Sequence, residues 1–151
     1  MNYEEAELIT QKILRKEGVS RDEKLQELCE YMEIEFSLYD WVGFYFAAES
    51  DTVLYLGPFA GEPTDHTVIP FGKGICGQVA VSGKTFVVDD VNAQDNYIAC
   101  SIDVRSEIVV PIFVNGKNIG QIDIDSHTAE AFGDEDVLFL EKVAEEVALL
   151  F

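Results

Sequence analysis

Between Tyr3 and Phe36 apolar positions recur mainly at spacings of three and four, the period of a helix with one buried face. The spacing predicts two amphipathic helices, over 3–17 and 21–36. Leu25, Leu28, Cys29, Met32 and Ile34 form the apolar stripe of the second. Gly18 fits the stop of the first helix. Ser20, followed three residues later by Glu23, fits a capping-box start of the second, because a serine oxygen can satisfy a backbone N–H that the helix start leaves open.

After Asp40 the period changes. Residues 41–49 (WVGFYFAAE) and 51–61 (DTVLYLGPFAG) are rich in aromatic and β-branched residues and predict two strands. A third, short strand is predicted over 66–71, with Pro70 marking its end or a sheet edge. Glycines at 72, 74 and 77 permit a tight turn into a short helix that Gly83 ends. Residues 84–91 read as a strand. Residues 92–105 have no clear period and predict a long polar loop, of a length that is often functional in a compact domain. EIVVPIFV and KNIGQIDID flank Asn115-Gly116, the preferred pair for a type I′ hairpin. In the second of these strands Ile119, Gln121, Asp123 and Asp125 share one face, and Gly120, Ile122 and Ile124 the other. A last amphipathic helix is predicted over 132–151, entered through acids that suit a helix N-terminus.

The order ααβββαβ-loop-ββα, with hairpins as frequent as helical connections, predicts an α+β domain with a mainly antiparallel central sheet. The terminal helices are expected on one face, the middle helix and long loop on the other. The length of 151 residues fits one domain spanning 1–151.

Charge narrows the function. Ten Lys/Arg against 29 Asp/Glu give a net charge of −19, which opposes general nucleic-acid binding and docking on anionic lipid. The polar, acidic start does not resemble a signal peptide, and no apolar run is long enough to span a bilayer. Three cysteines cannot all pair within one chain, so a cytoplasmic protein with reduced thiols is expected. His66 and His127 are the only imidazoles, and without a CxxC or HExxH spacing the sequence argues against zinc.

Several residues could carry chemistry. Cys76 precedes the predicted short helix, where the helix N-terminus and Lys73 would favour a thiolate; the alternative is a small buried hydrophobe. Cys100 lies in the polar loop, where packing explains a cysteine less readily. Cys29 belongs to an apolar stripe and reads as packing. Glu107 opens an apolar strand, either as a solvated strand end or as a pocket acid whose pKa would rise on desolvation. Asp123 and Asp125 share a strand face, as a cation-binding pair or as a solvated outer face. GKGICG lacks the third glycine and the βαβ setting of a dinucleotide fingerprint.

Taken together, WVGFY (41–45), LGPFAG (56–61), IPFGKGICG (69–77), VDDV (88–91), IAC (98–100), SEIVVPI (106–112) and IGQIDIDS (119–126) resemble the free methionine-(R)-sulfoxide reductases, enzymes built on a single GAF domain. The resemblance runs nearly continuously from 41 to 126. It implies that Cys100 attacks the sulfoxide sulfur of free methionine sulfoxide and becomes a sulfenic acid. It implies that Glu107 hydrogen-bonds the sulfoxide oxygen and helps protonate it, that Asp123 and Asp125 hold the substrate ammonium, and that Trp41 and Tyr45 wall the pocket. No cofactor is implied. A second cysteine then forms a disulfide, which a thioredoxin-like reductant opens. The family commonly uses a cysteine ten residues before the GICG cysteine for that second step, and His66 stands there. Resolution therefore falls to Cys76 or to an external thiol. The alternative is a non-catalytic GAF sensor that binds a small amino-acid-like ligand. A homodimer through the terminal helices is the expectation from GAF domains.

Overall fold

A computed structural model of the chain describes residues 2–94 and 103–151. Helix α1 spans Tyr3–Leu14, capped by Asn2, whose side chain accepts the Glu5 N–H at 3.1 Å. It is shorter than the apolar pattern suggests, because the chain tightens at Arg15 and Lys16 before Gly18 turns it at φ 73°. Helix α2 spans Arg21–Glu35, with Ser20 Oγ accepting the Glu23 N–H at 3.2 Å.

Strands β1 (Trp41–Ala47), β2 (Val53–Ala60) and β3 (Val68–Pro70) form an antiparallel meander. Helix α3 spans Gly74–Ser82 and ends at Gly83, whose left-handed φ of 66° no β-branched residue would tolerate. It docks closely because Gly77 has no side chain: a Cβ there would stand 2.6 Å from the Pro70 carbonyl oxygen.

The strand expected over 84–91 is cut to β4 (Phe86–Val88), followed by a single 3₁₀ turn at Val91–Ala93. The cause is local: the Asp90 carboxylate accepts the Asn92 N–H at 3.1 Å, a turn that competes with the ladder. Strands β5 (Ser106–Val114) and β6 (Lys117–Ser126) form the hairpin, with Asn115 and Gly116 both at positive φ (51° and 78°), as a type I′ turn requires. Helix α4 spans Asp134–Ala148, two residues inside the predicted start, because the Asp136 carboxylate accepts the Gly133 N–H at 2.9 Å and sets the cap there.

The sheet order is β3-β2-β1-β6-β5-β4 and every pairing is antiparallel. Pro70 sits on the edge strand, where a missing N–H costs no ladder bond. One face carries Val42, Phe44, Ile108, Val110, Ile112, Ile122 and Ile124 and is covered by α1, α2 and α4. Each of these large side chains contributes about 1.5–3 kcal/mol by leaving water. The other face carries Trp41, Tyr45, Val88 and Val109, and α3 packs on it through Ile75, Cys76 and Val79. The expected division of helices between the faces is therefore observed for all four helices. Of the loop over 92–105, residues 95–102 lie outside the described residues.

Candidate active site

Strand register assembles the site. In β6, Asp123 pairs with Gly43 of β1 and Val109 of β5, while Asp125 pairs with Trp41 and Glu107. Residues directly opposite in adjacent strands share a face. Glu107, Asp123, Asp125, Trp41 and Tyr45 therefore all point to the side covered by α3. Glu107 is 4% exposed, Asp123 0% and Asp125 1%. The readings of Glu107 as a solvated strand end, and of the aspartates as a solvated outer face, are thus corrected. Alternation identifies which side chains share a face, but α3 on that face is what removes them from water.

Cys76 in the first turn of α3 meets this row. Its sulfur and one carboxylate oxygen each from Glu107 and Asp123 lie within 4.8 Å of one another. Gln121, next on the same face of β6, holds the helix there by donating its amide N–H to the Cys76 carbonyl at 3.1 Å. Among the described residues His66, Ile69, Lys73, Gly74 and Ile75 complete the wall of a tight pocket around these groups. About 10 Å³ of it admits the centre of a water molecule.

The electrostatics correct a second expectation. Burial pushes the Cys76 thiol well up from its ordinary value, and the charges of Asp123 and Glu107 push it further. The helix start does not prevail, because the thiol is desolvated among carboxylates. Burial also raises Asp123, against the pull of the Glu107 carboxyl and the Cys76 thiol, which act on it as donors.

The aromatic residues of β1 connect the site to the segment between β2 and β3. The Tyr45 hydroxyl donates to the His66 carbonyl at 2.8 Å, and the Trp41 indole N–H to the Glu62 carbonyl at 3.0 Å. Their ring centroids are 6.3 Å apart. Gly43 between them leaves room for the indole: a Cβ there would stand 2.6 Å from Trp41 Cζ3. Sequence reasoning quoted Gly43 only as a member of a motif, and gave Gln121 a strand face but no contact. A glycine inside a strand signals close approach of another group, and this one clears the space beside Asp123.

The structure thus brings together six of the seven predicted site residues: Cys76, Glu107, Trp41, Tyr45, Asp123 and Asp125. Cys100 lies outside the described residues. Cys29 is fully buried in the core on the opposite face, with its sulfur 3.6 Å from the Pro58 carbonyl oxygen, and serves packing. No Cys/His spacing announced the cluster of Cys76, Glu107 and Asp123, because its members come from a helix and two strands.

Known proteins share this architecture. A family model described as GAF domain matches residues 18–151. Protein YtsP of Bacillus subtilis is 39% identical over 141 residues, covering 89% of this chain and 86% of the relative. The free methionine-R-sulfoxide reductase of Saccharomyces cerevisiae is 38% identical over 155 residues, covering 95% of this chain and 85% of the relative. The X-ray structure of free methionine-R-sulfoxide reductase from Neisseria meningitidis in complex with its substrate superposes with a TM-score of 0.92 at 37% identity, covering 99% of this chain and 87% of that one.

Proposed function

Because this chain belongs to the free methionine-R-sulfoxide reductase family of GAF domains, we propose that it reduces free L-methionine-(R)-sulfoxide to methionine with its own cysteines. The observation that carries the reading is the buried row Glu107, Asp123 and Asp125 facing a thiol. A substrate with an ammonium group and a strongly hydrogen-bond-accepting sulfoxide oxygen is chemically complementary to that row and thiol.

In the proposed reaction the Cys100 thiolate attacks the sulfoxide sulfur. The oxygen ends on the cysteine sulfur, methionine leaves, and Cys100 becomes a sulfenic acid. Substrate sulfur is reduced by two electrons and cysteine sulfur is oxidised by two. Glu107 hydrogen-bonds the sulfoxide oxygen and gives it a proton. Asp123 and Asp125 hold the ammonium, while Trp41 and Tyr45 wall the pocket. Cys76 sulfur then attacks the sulfenic sulfur, and the hydroxyl leaves as water while a Cys76–Cys100 disulfide forms.

A thioredoxin-like reductant, a cytoplasmic location and a homodimer belong to the same proposal. Thiol turnover needs a reducing compartment. Among the described residues no helix is long and apolar enough to cross a membrane. Exposed Leu8, Ile34 and Leu138 on α1, α2 and α4 support pairing through the terminal helices. Reduced protein, freed of added thiol and given excess free R-sulfoxide, should release about one methionine per chain. A Cys100→Ser variant should release none. No release from the reduced parent chain would contradict the reaction and leave a ligand-binding GAF module.

A further inference from the structure

The cluster of Cys76, Glu107 and Asp123 has a second chemical capacity. A thiol and two carboxylates, one from α3 and one each from β5 and β6, place their donor atoms within 4.8 Å of one another, and all three residues are buried. We infer that the reduced protein binds a divalent ion of the zinc class at Cys76, Glu107 and Asp123.

The donor set selects the ion. A thiolate disfavours Mg²⁺ and Ca²⁺, whereas sulfur with carboxylate oxygen suits Zn²⁺ and its neighbours. Three protein ligands and one open position form a common zinc arrangement, the fourth place going to water or to His66, which lines the same pocket. With Zn–S near 2.3 Å and Zn–O about 2.0–2.2 Å, tetrahedral donors stand roughly 3.3–3.6 Å apart. The donor atoms already lie within 4.8 Å of one another, close to that spacing. The backbone is well held: register fixes Glu107 and Asp123 on adjacent strands, and the Gln121 amide anchors the Cys76 carbonyl.

Asp123 is 0% exposed and faces the pocket, and the groups that meet its carboxyl are the Glu107 carboxyl and the Cys76 thiol, the other two members of the set, so an ion would take the place of the protons they share. The open space suits a bare ion, which is smaller than water. Lys73 also lines the pocket, from an exposed position at the start of α3, and the ion must compete with its ammonium for these carboxylates. On binding, the Cys76 sulfur loses its proton to solvent and the metal takes its place.

Such an ion would occupy the groups that the reaction needs. It would switch the reductase off and shield Cys76 from oxidation until a chelator removes it. That consequence rests on the proposed activity; the binding does not.

The test titrates chelator-stripped, fully reduced full-length protein with Co²⁺, a spectroscopic stand-in for Zn²⁺. The expected result is a single equivalent with near-ultraviolet thiolate-to-cobalt absorption, abolished by added Zn²⁺. Cys76→Ser should lose the absorption, and Asp123→Asn should weaken binding by about tenfold or more, the scale on which metal sites respond to a lost partner. Cys29→Ser and Cys100→Ser should keep it. Absence of the band, its survival in Cys76→Ser, or unchanged affinity in Asp123→Asn would overturn the site. Sulfoxide turnover is measured in parallel with chelator present, so that loss of turnover there counts against the reaction and loss of the cobalt band against the metal site.

Discussion

Glu107 of β5 and Asp125 of β6 stand directly opposite one another in adjacent strands, and both are buried. Like charges in that relationship destabilise a sheet, and burial adds to the cost of charging either one. Asp123 lies on the same face one alternation away. The sheet therefore concentrates three acids on the face that α3 covers, while the opposite face is apolar and covered by α1, α2 and α4. Stability and chemistry are divided between the faces, and the predictions below use that division.

Replacing Glu107 with Gln should lower kcat/KM for free R-sulfoxide by about 10²–10⁴, the usual contribution of a positioned acid. The melting temperature should hold or rise, because glutamine keeps the acid's shape and donor capacity and carries no charge to bury. Steady-state kinetics and thermal unfolding of the same preparation check both halves.

Asp123→Asn should stabilise the protein in a pH-dependent way. Burial raises the Asp123 pKa in the folded chain above its unfolded value. Its contribution to stability is complete below the unfolded value and is lost as pH rises through the folded one, because the unfolded chain gives up the proton first. The variant has no such loss. Its advantage in melting temperature should be near zero at about pH 4 and grow toward neutral pH. An advantage that shrinks with rising pH would contradict the assignment. Measurements with chelator present keep any bound ion out of the comparison.

Cys76→Ser separates attack from resolution. The first turnover should still release about one methionine per chain if, as proposed, Cys100 is the attacking residue. Recycling by a thioredoxin system should fail, while dithiothreitol supports turnover by reaching the sulfenic acid itself. Quantifying methionine under the two reductants distinguishes this from a Cys76 nucleophile, which would abolish the first turnover as well.

Asp136 provides the converse case, on the helix-covered side. Its carboxylate accepts hydrogen bonds from Tyr39 Oη at 2.6 Å, Tyr3 Oη at 3.2 Å and Gly133 N–H at 2.9 Å. Asp136→Ala should destabilise the chain by about 2–3 kcal/mol, since it removes charge-assisted bonds and leaves the buried Tyr39 hydroxyl unpaired. Chemical denaturation measures the loss. KM for the sulfoxide should stay within about twofold at temperatures where the variant is folded, because surrounding groups far from a site contribute little to binding there.

The elements that local chemistry specifies were legible in the sequence. Asn115-Gly116 gives the hairpin, Ser20 and Glu23 the start of α2, and Gly83 the end of α3. The stripe containing Cys29 correctly assigned it to packing. Two features of the site were not legible, both for a long-range reason. Alternation in β6 placed Asp123 and Asp125 on one face, yet two acids on a face suggest water, and it is long-range packing, α3 included, that buries them. Cys76 by itself looked like an activated thiol at a helix start. The carboxylates that reverse this arrive from β5 and β6, about 30 to 50 positions further along the chain. The early end of the strand after Lys84 came instead from a competing local bond, that of Asp90 to Asn92.

The most direct measurement is steady-state reduction of free L-methionine-R-sulfoxide and, separately, the S form, with dithiothreitol in one series and a thioredoxin system in the other. Turnover of the R form alone with both reductants is the predicted result, and it would mean that Cys76 resolves Cys100 without the cysteine that His66 replaces. Both forms left untouched by fully reduced, chelator-treated protein would contradict the proposed reaction.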